Sequence, residues 1–396
     1  MPEQALAGYK VLSLGQYVAG PYCACLLAGW GAEVIKIERP GTGDPARSMG
    51  PFFHDEPHPE KSLLFLHLNT GKKSITIDLK SETGKEIFKE LVKDTNILVE
   101  NFAPRVMPSL GLDYETLEKI NPGLVMTSIS NFGQTGPYRD FRSSEVVAQS
   151  LGGLTYMTGD LDRPPLKLGG YQAQYQGGLN GGMAALTALW HQGNTDLGQQ
   201  IDISIMECIG SINEQLDAQW EYHREIAMRE GQRWVGRACW GPYECQDGWV
   251  TMCLGGRRMR PLGDIVGEPA LKNPEYYTNS RPLADEIDVL LKPALQNITK
   301  DEFYHKGQEA GMPTGIVATP KDILESPQLR ARNYLVEIDH PAVGKLTYPG
   351  APVIANETPW TPGRAPLLGE HNEEIFTERL GYSQKDLDKL KTHGVI

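Results

Sequence analysis

A glycine-bounded loop, Gly15-Gln16-Tyr17-Val18-Ala19-Gly20-Pro21, joins a strand-like apolar run to a helix-like one. In a β–α–β unit such a loop can cradle a dinucleotide through backbone amides at a helix N-terminus. Its residues do not spell G-x-G-x-x-G, however, so the expectation is an α/β unit that takes no nicotinamide cofactor. Other chemistries narrow in the same way. The nine histidines are scattered, with no H-E-x-x-H pair and no Cys–His cluster, so no metal is expected. The six cysteines, Cys23, Cys25, Cys208, Cys239, Cys245 and Cys253, match no zinc spacing. They are too few for a disulfide scaffold, which points to reduced thiols in a cytoplasm. No G-x-S-x-G elbow marks a serine hydrolase.

Charge sets the partners. The 396 residues carry 38 Lys plus Arg against 50 Asp plus Glu, a net charge of −12. The longest basic cluster is Arg257-Arg258-Met259-Arg260, too little for a nucleic-acid face. An anionic small molecule stays open, because a few local amides and cations outweigh a distant net charge. No apolar run approaches the ~18 residues of a membrane span. Met1-Pro2-Glu3-Gln4 offers no basic n-region, so no secretory signal is expected.

The elements that must position any site alternate between strand and helix. Strands are expected at 9–14, 32–37, 74–79, 96–100, 124–129 and 198–205, with helices at 22–30, 81–93, 114–120 and 178–191. That alternation predicts a doubly wound, mainly parallel sheet. Ligands in such sheets sit at the carboxyl ends of the strands. The loops at 15–21, 39–47, 100–105 and 130–138 therefore converge on one crevice edge. Residues 206–240 read as helical, 241–254 as a hairpin turning at Asp247-Gly248, and 260–312 as helical again. A large domain is placed at 1–210 and a smaller α+β domain at 225–330. Trp220, Trp234, Trp240 and Trp249 fall near that boundary and read as core packing.

Eight phrases in one order resemble the family III CoA-transferases, the group of formyl-CoA transferase, carnitine CoA-transferase and α-methylacyl-CoA racemase. They are Gln16–Pro21, Gly31–Glu38, Gly43-Asp44-Pro45-Ala46-Arg47, Asn69–Ser74, Glu100-Asn101-Phe102, Phe132–Tyr138, Ser326–Arg332 and Gly369-Glu370-His371-Asn372. The resemblance implies that residues 331–396 complete the large domain and that two chains interlock as a dimer. It implies coenzyme A or an acyl-CoA as substrate. Gln16, Tyr17, Val18 and Ala19 then supply amides to CoA, with Arg39, Lys72, Lys73 and Asn101 near its nucleotide.

The same resemblance exposes a gap. Family chemistry needs an Asp that attacks the acyl thioester, forms a mixed anhydride and then carries CoA as an aspartyl thioester. At the matching phrase this chain reads Ala173-Gln174-Tyr175-Gln176-Gly177-Gly178. A neutral amide at Gln174 forms no anhydride. Three readings stay open. The nucleophile lies elsewhere, with Asp160, Asp162 and Glu145 the nearest carboxylates. The chain runs another CoA-thioester reaction, such as a lyase or isomerase step. Or it is a non-catalytic subunit, paired in a heterodimer or heterotetramer with a homologous Asp-bearing subunit. The last resembles the Asp-lacking subunit of succinyl-CoA:benzylsuccinate CoA-transferase from anaerobic aromatic degradation. Racemase chemistry is not expected, because residues 139–145 hold no His.

Overall fold

Short strands with apolar stretches and helices between them bury both faces in a parallel sheet covered on each side. The computed structural model describes residues 4–213, 216–229, 231–233 and 236–396. Met1 to Glu3 and Trp234 lie outside the described residues. The chain divides into two compact units. One holds Met1–Gly153, Gly169–Glu214 and Arg330–Ile396, the other Leu154–Leu168 and Gln215–Leu329. The expected small domain at 225–330 thus begins earlier, and an excursion from the large unit, 154–168, joins it.

In the large unit six strands pair in parallel. They are β1 (Lys10–Ser13), β2 (Glu33–Glu38), β3 (Lys73–Thr76), β4 (Ile97–Glu100), β5 (Val125–Ser130) and β6 (Gln199–Ser204). Their order is β3-β2-β1-β4-β5-β6. The helices that matter here are α1 (Ala19–Gly29), α2 (Glu82–Val92), α3 (Glu145–Leu151) and α4 (Gln172–Thr195). Ser81 caps α2 by accepting from the Gly84 amide, one of the first-turn donors that a helix leaves unpaired. Leu12, Ile35, Ile75, Phe88, Leu98 and Phe376 share one core cluster. The C-terminal phrase closes the sheet edge. Asn372 Oδ1 accepts from the Thr76 amide at 2.9 Å and His371 Nδ1 from the Ser74 amide at 3.1 Å. An otherwise open edge strand is covered in this way.

Helix α4 runs against α1 over a seam of glycines. A Cβ on Gly178 would lie 2.6 Å from the Ala19 carbonyl oxygen, a distance only glycine permits. Tyr175 meets Tyr22 edge-on, with ring centroids 4.8 Å apart. This helix starts at Gln172, not 178, so position 174 sits in a first helical turn rather than in a loop.

The small unit is α+β. β7 (Trp240–Cys245) and β8 (Gly248–Cys253) form the hairpin that turns between Cys245 and Gly248, and β9 (Thr314–Ile316) adds antiparallel to β8. Helices α5 (Ala284–Leu295) and α6 (Lys300–Glu309) supply Ile287, Leu291 and Phe303 to its core. The helical expectation over 206–240 fails. Among the described residues only Ile205–Gly210 and Leu216–His223 form α-helix there, and Trp240 already opens a strand. Trp220 and Trp249 are exposed, so the core-packing expectation fails for them as well.

Candidate functional site

The chain leaves β1 toward β2 and β3, then returns to the middle of the sheet at β4 and leaves toward β5 and β6. Between β1 and β4 the winding therefore reverses. The loops that leave two such strands diverge, and a crevice opens at their carboxyl ends. A cleft of about 810 Å³ lies there, lined by Tyr17, Val18, Asn101, Phe102, Ser130, Arg139, Phe141, Glu145, Tyr171 and Gln174 among others.

The loop after β1 is clamped from both sides. Asn101 Oδ1 accepts from the Gln16 amide at 2.7 Å, and its Nδ2 donates to the Gln16 carbonyl at 2.9 Å. Asp44 Oδ1 accepts from the Tyr17 amide at 3.0 Å. Lys36 Nζ ties Asp44 Oδ2 and the Gly15 carbonyl together, each at 2.7 Å. These bonds hold Tyr17 at φ +60°, a left-handed conformation that a tyrosine adopts only when its surroundings impose it. Val18, at the N-cap of α1, makes no side-chain capping bond, so the helix presents amides without a capping oxygen.

A second clamp fixes the start of α4. Glu145 Oε1 accepts from the Ala173 amide at 2.8 Å, and Oε2 from the Gln174 amide at 3.2 Å. Gln149 Nε2 adds a bond to Oε1 at 2.6 Å. Glu145 is thus a carboxylate cap supplied from α3, favourable at a helix N-terminus. It explains why α4 extends back to Gln172. The other acid of the cleft wall, Asp140, is gripped by Arg105 through two bonds of 2.6 and 2.5 Å. Arg105 holds its carboxyl below the usual range. The half-buried side chain of Gln174 makes no hydrogen bond with any described residue. Among the described residues of the wall, no carboxylate is unengaged.

The family model described as CoA-transferase family III matches residues 6–372, nearly the whole chain. This chain belongs to CoA-transferase family III. It is 33% identical to the succinyl-CoA--D-citramalate CoA-transferase of Chloroflexus aurantiacus, over 100% of this chain and 99% of the relative. It is 32% identical to the formyl-CoA:oxalate CoA-transferase of Streptomyces avermitilis, over 99% of this chain and 100% of that one. A CAIB/BAIF family protein from Brucella suis superposes with a TM-score of 0.86 at 29% identity, covering 95% of this chain and 99% of its own.

Of the residues expected to meet CoA in this family III chain, Tyr17, Val18 and Asn101 line the cleft. Gln16 and Ala19 do not; Gln16 is spent on Asn101, and Ala19 is fully buried in α1. Arg39 is exposed beyond β2 and lies off the cleft wall. Lys72 lies off that wall as well. Its ammonium is buried and donates to the Pro21 and Leu68 carbonyls and to Asn69 Oδ1, at 2.7, 2.9 and 2.8 Å. Burial pushes its pKa down to about 7. With three internal acceptors this lysine staples α1 to the turn before β3. Lys73 pairs with Glu33 and Glu374. Asp160 belongs to the small unit, where it faces Arg163 at 3.7 Å, and it is absent from the cleft wall. Sequence reasoning gave no role to Ser130, Arg139 and Arg142, which also line the cleft. The signal was two arginines three apart just after the Gly133–Gly136 turn.

Under the cleft, Glu100 at the end of β4 is buried and accepts from the Phe102 amide at 2.8 Å. Burial, with the nearby charge of Asp202, pushes its pKa up to about 7 from an ordinary 4.5. The folded state then holds a proton that the unfolded state has lost between those values. Stability therefore falls as pH rises from 4.5 to 7, and the cost is complete above 7. Glu100→Gln is expected to match the parent at pH 4 and to exceed it at pH 8 by on the order of 3 kcal/mol. Thermal melts at the two pH values check this. Equal gains at both would show that Glu100 is ionised throughout.

Proposed function

We propose that this chain is the subunit of a family III CoA-transferase that lacks the attacking carboxylate. It works in the cytoplasm, interlocked with a homologous Asp-bearing subunit in a heterodimer or heterotetramer. The complex moves CoA from an acyl-CoA donor to a carboxylic acid acceptor. The observation that carries this reading is the neutral Gln174 in the first turn of α4, facing a cleft whose two acids are already committed. Retention of the clamped Gln16–Val18 loop supports a cleft kept for substrate contact rather than lost.

Succinyl-CoA as donor and benzylsuccinate as acceptor is the pair this reading favours. The succinyl-CoA named for one relative supports the first. Phe141 supports the second: it lines the cleft and stacks on Tyr138 at 5.0 Å. A self-sufficient transferase, lyase or isomerase using Glu145 or Asp160 is the second reading. Glu145 is the better candidate of the two, because it lines the cleft beside Gln174. Its oxygens are occupied by α4 amides, and attack would uncap that helix.

The deciding experiment measures CoA transfer by the purified chain across a panel of acyl-CoA donors. The same assay follows on the chain co-expressed with an Asp-bearing homologue. Silence alone and transfer together are expected. Turnover by the lone chain would end this reading.

A further inference from the structure

We propose that Arg139 forms a carboxylate subsite in this cleft, selecting acyl groups that carry a second, free carboxylate. The inference rests on the reading above that the cleft takes a CoA thioester.

Arg139 follows the Gly133–Gly136 turn and lines the cleft wall while half-buried. Its guanidinium forms no hydrogen bond or ion pair with any described residue, and its Nε is closed off from solvent without a partner. Ser130, at the end of β5 and 6% exposed, lines the same wall, and its hydroxyl is equally unpartnered. Neither acid of the wall bonds to the Arg139 guanidinium, although the neighbouring Asp140 feels its charge. Asp140 is held by Arg105, and Glu145 caps α4. Arg142 adds a second wall cation that no acid pairs. A half-buried guanidinium whose hydrogen-bond donors go unused is costly to keep. A neutral thioester would not repay that cost, whereas an anionic oxygen pair fits its planar fork.

Two groups of a CoA thioester have such oxygens: the phosphates and a carboxylate at the far end of the acyl chain. Topology favours the carboxylate. The α1 amides suited to phosphate follow β1, whereas Ser130 and Arg139 follow β5, with β4 between them. Two strand spacings separate these subsites by roughly 10 Å. Arg139 also shares its wall with Gln174, the position where relatives attack the acyl carbon.

Calorimetry on the full-length chain tests this with three probes: succinyl-CoA, butyryl-CoA, which has the same acyl length without the carboxylate, and CoA itself. Succinyl-CoA is expected to bind about 10- to 100-fold more tightly than butyryl-CoA, the range for a charge-assisted bond. Arg139→Gln is expected to abolish that preference and leave butyryl-CoA and CoA binding unchanged. Equal binding of the two thioesters by the parent chain overturns the subsite with no variant needed, so a variant that fails to fold does not shield it. Weakening of all three probes alike by Arg139→Gln would assign the arginine to a phosphate and overturn the carboxylate reading. Either result leaves the non-catalytic subunit reading standing, because turnover judges that one. Binding of none of the three probes overturns the subsite together with its premise.

Discussion

A Gln174→Asp chain, incubated alone with an acyl-CoA, is expected to gain the mass of CoA less one water, whereas the parent chain gains nothing. The new carboxylate attacks the thioester carbonyl, forms a mixed anhydride and releases CoA thiolate. The thiolate then attacks the aspartyl carbonyl, the free acid leaves, and an aspartyl-CoA thioester remains. Loss of a nucleophile elsewhere costs roughly 10⁴–10⁶ in turnover, and restoring one recovers part of that range. The scaffold for it is present: α4 is held at its first turn by Glu145, and the clamped loop after β1 faces the same cleft. Intact-mass measurement, with hydroxylamine to cleave the thioester, reads the outcome. An unlabelled variant that still binds the thioester would show that position 174 is not the point of attack.

Arg47→Met is expected to cost about 3–5 kcal/mol of stability, because it strands a buried charge. Arg47 is fully buried. Its Nε and Nη2 donate to Glu38 at 2.7 and 2.9 Å, and Nη1 donates to Glu60 at 2.7 Å. Its guanidinium also lies 3.6 Å over the Phe65 ring. Burial alone would raise the Glu38 pKa, but the bonds from Arg47 and the charge of Lys36 outweigh it and hold the carboxyl ionised, below its usual range. Remove Arg47 and that carboxylate keeps only the Ser74 hydroxyl, the Asp44 amide and the charge of Lys36. Because Asp44 anchors Tyr17, the damage should reach the cleft loop as well. Chemical denaturation measures the loss, and Glu38→Gln in the same chain should return part of it. A single variant within 1 kcal/mol of the parent would show that the network is dispensable.

Much of the sheet could be read from local pattern. Its strands are short apolar runs bounded by glycine and proline, and their alternation with helices leaves few topologies. The errors cluster where distant residues decide. Helix α4 begins six residues early because a carboxylate 27 positions upstream of Gln172 caps it. The burial of Lys72 is of this kind, because nothing nearby in sequence reveals that Pro21, Leu68 and Asn69 enclose it. Residues 206–240 have a helical composition, yet that segment crosses the boundary of two compact units.

The order of residues alone determined the parallel sheet, the loop edge that carries the cleft, and the uncharged amide at position 174, because these depend on residue type and short-range periodicity. Folding decided which charges are spent and which are left over. Glu145, Asp140, Lys72 and Arg47 are each absorbed by partners far along the chain, while Arg139 is left without one. Pairing of that kind is a matter of distances between elements, and no linear spacing encodes it.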